Sequence, residues 1–142
     1  MRLLLVTVLL VVALASCQTM QSYGPNSKPN VYCNTAQEPD PALLGGWKCT
    51  VRVQLETGAV DINPMKYWLY KVDGQYALYF ERIARDGRKQ YKGWQPWTIS
   101  GKVISSNTGI TIYTESGDVF IRFGDERAEK MTRFESPAPL SK

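Results

Sequence analysis

The chain has 142 residues, with 17 Lys or Arg against 13 Asp or Glu, a net charge of +4, and no histidine. Without histidine there is no Ser–His–Asp triad, no imidazole zinc or haem ligand, and no commonest general base. GxSxG, SxxK, P-loop, GxGxxG and calcium-loop patterns are missing as well, so neither catalysis nor a metal or cofactor is expected.

The first element is Met1–Cys17. Arg2 supplies a positive start, Leu3–Ala13 is apolar apart from Thr7, and Leu14-Ala15-Ser16 leads into Cys17. The apolar run is too short to span a bilayer comfortably and ends in small residues rather than a charged flank. This stretch resembles the lipobox signal of bacterial lipoproteins, with residues 1–16 as the signal peptide. The resemblance implies a lipidated Cys17, carrying diacylglycerol on its sulfur and an acyl chain such as palmitate on its amine. Several chains together hold a protein stably at a membrane. Gln18, rather than aspartate, follows the cysteine, and the same resemblance then implies the outer membrane, facing the periplasm. An exported chain has no nucleic acid to meet, and its mild basicity is no nucleic-acid stripe.

Residues 17–41 are polar and rich in Pro, Asn and Ser, so this stretch reads as a lipidated N-terminus and flexible tether. Residues 136–142 have the same character and read as a disordered tail. The folded unit is then 42–135, small enough to gain from a crosslink. Cys33 and Cys49 are the two cysteines left after lipidation, and in an oxidising compartment they are most simply a disulfide. Its loop of about sixteen residues is worth on the order of 3 kcal/mol. Two unpaired thiols, with Cys49 as a small buried apolar residue, is the other reading.

From Trp47 the pattern has period two. Trp47, Cys49, Val51, Val53 and Leu55 share one face, and Lys48, Thr50, Arg52, Gln54 and Glu56 the other. After Thr57-Gly58 comes a strand containing Met65–Tyr70, and Asp73-Gly74 is a hairpin signal leading into Gln75–Ile83. Asp86-Gly87 turns into Lys89–Trp94, with Arg82, Arg85, Arg88, Lys89 and Lys92 as a solvated basic hairpin tip. Gln95-Pro96 breaks that strand. Trp97–Ser105, Gly109–Glu115, Asp118–Phe123 and Glu129–Phe134 complete eight strands with short turns between them. Short connections make sequential strands antiparallel neighbours. The expected fold is all-β, a small eight-stranded antiparallel up-and-down barrel. A curved open sheet or a two-sheet sandwich is the alternative.

Leu43-Leu44-Gly45-Gly46-Trp47 resembles the glycine-x-tryptophan opening of the calycins, the lipocalin-like barrels. The resemblance implies that Gly45 and Trp47 close one end of the barrel, with Arg133 from the last strand lying across the indole. It also implies a non-catalytic carrier of a small hydrophobic or amphipathic ligand. Trp47-Lys48-Cys49 is similar to a strand of small envelope lipoproteins that inhibit c-type lysozyme. That likeness implies a hydrolase inhibitor, and the alternative to a carrier is therefore a protein-interaction module, either such an inhibitor or an accessory subunit of an envelope assembly.

Aromatic residues are dense, and most fill cores. Tyr67-Trp68-Leu69-Tyr70 must nevertheless place large side chains on both faces of its strand. Trp94-Gln95-Pro96-Trp97 sets two tryptophans around a proline at a barrel rim. Trp94, Trp97, Trp68 and Tyr70 are therefore the candidate residues for binding a ligand or an envelope-protein partner.

Overall fold

A computed structural model describes residues 27–83 and 90–134, and its long strands follow from the alternation and turn chemistry of their own segments. The fold is all-β. The strands are β1 (Asn34–Gln37), β2 (Gly45–Gln54), β3 (Val60–Val72), β4 (Gln75–Ile83), β5 (Gln90–Gln95), β6 (Thr98–Ser100), β7 (Val103–Ser105), β8 (Ile110–Glu115), β9 (Asp118–Phe123), β10 (Glu129–Lys130) and β11 (Thr132–Phe134). A 3-10 turn, Pro41–Leu43, precedes β2 and is capped by Asp40, whose carboxylate accepts from the Ala42 amide at 2.9 Å.

The strands form two sheets, ordered β11-β2-β3-β4-β5 and β1-β6-β7-β8-β9-β10. All pairings are antiparallel except β1 with β6. The ladder is therefore not one continuous ring. It breaks between β5 and β6 at Pro96, which has no amide to donate. It breaks again between β10 and β11 at Met131, whose amide bonds to the Val119 carbonyl at 2.8 Å while its side chain is buried in the core.

The sheets pack face to face. Trp47, Met65, Tyr67, Leu69, Leu78 and Phe80 from one meet Ile99, Ile104, Ile112, Val119 and Ile121 from the other in a single apolar core. Asp73 and Gly74 both have positive φ, 51° and 78°, which the twist-matched two-residue turn between β3 and β4 requires. The segment expected as one strand over Trp97–Ser105 is instead the hairpin of β6 and β7. Gly101, at φ 59°, makes that reversal, and Ile99 and Ile104 still both reach the core.

Two expectations need correction. Composition alone assigns Asn34–Gln37 to the tether, yet these residues form β1, paired with β6. Their side chains are exposed, so backbone hydrogen bonds hold them and composition carries no sign of it. Val31, Tyr32 and Cys33 just before them pack on apolar clusters, and the Cys33 amide bonds to the Tyr76 carbonyl at 2.8 Å.

The second correction concerns Cys33 and Cys49, which are free thiols. The Cys33 sulfur contacts the Gln95 carbonyl, opposite Leu78 on β4, whereas Cys49 lies opposite Met65, itself opposite Arg82. Leu78 and Arg82 are separated along β4 by about 13 Å, well beyond the reach of a disulfide. The lipidation residue Cys17, the hairpin tip 84–89 and the tail 136–142 lie outside the described residues.

Candidate ligand-binding cleft

The alternating strands give the molecule two unlike ends. At one, β2 begins with Gly45, Gly46 and Trp47 beside β11, with Arg133 opposite Trp47. The guanidinium carbon of Arg133 stands 4.6 Å from the centre of the indole. Gly45 has φ 94°, and a Cβ there would sit 2.9 Å from Arg133 Nη1. Beneath the pair, Trp47 Nε1 donates to the Leu44 carbonyl at 3.3 Å and the buried Tyr67 hydroxyl donates to the Leu43 carbonyl at 3.0 Å. Burial holds the Tyr67 phenol well above its ordinary pKa, so it remains a donor. Leu43, fully buried, fills what remains. This end is plugged.

The opposite end is open. A cleft of about 310 Å³ lies there, with Phe80, Trp97 and Ile110 among its apolar walls. Its polar lining comes from Arg82, Gln95, Asn107 and Thr108, with Tyr91 at the edge. The volume is at the lower limit for small-ligand sites. Phe80 and Trp97 pack on each other with ring centres 4.9 Å apart. The loop carrying Asn107 and Thr108 is braced by Ser106, whose hydroxyl accepts from the amides of Thr108 (3.2 Å) and Ile110 (2.9 Å).

Among the described residues, Arg82 is the only charged one in that lining. Its Nε donates to Asn63 Oδ1 at 3.3 Å, and Asn63 Nδ2 donates in turn to Asp61 at 3.1 Å. Asn63 is completely buried, and the guanidinium also lies 5.5 Å from the Phe123 ring centre. No family model, curated protein or solved structure matches this chain.

The four aromatic candidates do not form one site. Trp94 and Trp97 flank Pro96 but fall on opposite faces of the five-stranded sheet. Trp97 belongs to the core between the sheets, whereas Trp94 joins Trp68, Ala77 and Tyr79 in a second cluster on the outer face. Tyr70 and Phe134 border that outer cluster, and Val31 and Tyr32 cover it. Trp94 Nε1 donates to Ser27 Oγ at 3.3 Å, while the buried Trp68 Nε1 has no partner among the described residues. The outer aromatics are thus mostly occupied by the chain's own N-terminal segment, for which the residues before Cys33 give no periodic signal.

Phe80, Arg82 and Ile110 are cleft residues that the sequence reading did not single out. Phe80 stands in the same alternating set as Tyr76 and Leu78, so its inward direction is legible, but its neighbour across the sheets is not. Arg82 looks like one more member of a basic hairpin tip.

Among the described residues no group of three metal-ligating side chains comes together. Burial pushes the Cys33 thiol up to about 11, and burial, aided by Glu129, pushes Cys49 up to about 12, so both stay protonated and weakly nucleophilic near neutrality. What the open end offers is an apolar floor, a braced loop and one positioned cation.

Proposed function

We propose that this chain is an outer-membrane lipoprotein, anchored through lipid on Cys17 and facing the periplasm, that binds a small hydrophobic or amphipathic ligand without catalysis. The observation that carries the reading is the contrast between the two ends: one sealed by Trp47 and Arg133, the other opening on a cleft walled by Phe80, Trp97 and Ile110. The interior between them is filled, so a ligand sits at the mouth rather than in a deep cavity.

The finer fold we propose is a flattened lipocalin-like barrel. Joining β5 to β6 across Pro96 and β10 to β11 across Met131 leaves eight strands, each beside its sequence neighbour. The last of them is beside the first through the pairing of β11 with β2. Gly45, Trp47 and Arg133 meeting at one end supports the same reading.

Native mass spectrometry of the mature chain, exported to a bacterial periplasm without its lipid, tests the proposal. A carrier retains a small molecule in stoichiometric amount. The bare chain mass, with no uptake of added aliphatic alcohols, favours the second reading. That reading is a protein-interaction module, and Leu55, Val60, Ile62 and Tyr91 support it by standing exposed around the open end.

A further inference from the structure

We infer that the ligand of the open cleft carries an anionic head and that Arg82 selects it. The inference rests on the cleft being the binding site. Its own basis is how Arg82 is held. An arginine on the last turns of a hairpin is usually a solvated, freely rotating charge, with little selectivity to offer. Here the side chain is partly buried, its Nε is committed to Asn63 Oδ1, and its guanidinium carbon lies over the Phe123 ring, 5.5 Å from the centre. Asn63 cannot turn away, because it is fully buried and its own amide is tied to Asp61. Two contacts of different kinds therefore hold the guanidinium in place.

With Nε committed, the donors at Nη1 and Nη2 remain for a partner, in the fork geometry that matches a carboxylate or phosphate. Among the described residues no carboxylate forms an ion pair with Arg82, and Asp61 reaches it only through Asn63. Among the described residues no other charged side chain lines the cleft, so there the ligand meets a cation beside an apolar floor. A cation fixed before binding costs the complex little ordering entropy, which is where selectivity comes from. The chemistry that fits is an amphiphile with a short apolar body on Phe80, Trp97 and Ile110 and one acidic group on Arg82. The neutral and cationic analogues lose that last contact, and the cation meets repulsion.

Decanoate, decanol and decyltrimethylammonium, titrated below their micelle concentrations into the mature chain by calorimetry, separate the possibilities. Decanoate is expected to bind at least about tenfold more tightly than decanol, because a charge-assisted pair is lost with the alcohol, and the ammonium compound most weakly. In Arg82→Gln the decanoate advantage over decanol vanishes, and a cooperative thermal melt reports separately that the variant is folded. Arg82→Lys restores part of the preference, since it keeps the charge without the fork. Equal binding of decanoate and decanol by the wild-type chain, or a preference that survives Arg82→Gln, overturns the role of Arg82 and leaves the cleft standing. Binding of none of the three overturns the cleft as a binding site, and the inference with it.

Discussion

Arg133 lies across the indole of Trp47, and the absence of a side chain at Gly45 is what lets it do so: a Cβ there would come within 2.9 Å of the guanidinium. Gly45 also holds φ 94°, a conformation that costs any other residue strain. Gly45→Ala is therefore expected to destabilise the fold by about 1–3 kcal/mol. Arg133→Ala, at an exposed position, costs about 0.5–1 kcal/mol. Chemical denaturation of the two single variants and the double variant checks this. The double variant should fall short of the sum, because removing Arg133 relieves the clash.

The free thiols make a pH-dependent prediction. Cys33 and Cys49 have an ordinary pKa of 9.0, raised on folding to about 11 and about 12. The unfolded chain loses these protons first as pH rises, so the folded state holds more protons above pH 9 and the stability they contribute declines. It is fully present below about pH 9 and lost progressively up to about pH 12. Denaturation midpoints measured across that range should fall, and by less in Cys33→Ala/Cys49→Ala. Ellman's reagent at pH 8 should react slowly with the native chain and promptly with two thiols per mature chain in denaturant. An unreactive denatured chain would mean that the cysteines are joined.

Trp94 and Trp97 should behave as residues of different structures. Trp94→Phe removes the bond to Ser27 and loosens the N-terminal cover, costing about 1 kcal/mol of stability with ligand affinity unchanged. Ile110→Ala, in the cleft wall, should weaken decanol binding several-fold, because buried apolar contact is lost. Calorimetry paired with thermal melts on both variants separates the two effects.

Deleting residues 18–32 should uncover the outer cluster. Trp68 and Trp94 are each about nine-tenths buried, and Val31 and Tyr32 pack against them. The expected outcome is a red-shifted tryptophan emission and a lower melting temperature, with β-structure retained.

How much of this was legible in the sequence depends on the range of the interaction concerned. β2 announces itself because Trp47, Cys49 and Val51 alternate with Lys48, Thr50 and Arg52, and a half-buried strand needs nothing more local than that. Asp73-Gly74 is equally plain, since few residue pairs tolerate positive φ twice. β1 was hidden because its four side chains are exposed and only its backbone is bonded. The opposite directions of Trp94 and Trp97 depend on which side of Pro96 each sheet continues, a property of the sheets and not of the four-residue segment. Arg82 is the sharpest case. In sequence it is one of five nearby basic residues, and the buried Asn63 on β3 and the Phe123 ring on β9, both distant along the chain, distinguish it.

The indole N–H signals give the most direct test of the cleft. Four tryptophans, Trp47, Trp68, Trp94 and Trp97, give four resolved resonances in a nitrogen–proton correlation spectrum, assignable by single Trp→Phe variants. On titration with decanol the signal of Trp97 should move and those of Trp47, Trp68 and Trp94 should stay in place. Movement of Trp68 and Trp94 with Trp97 unmoved would put the ligand on the outer face and contradict the account.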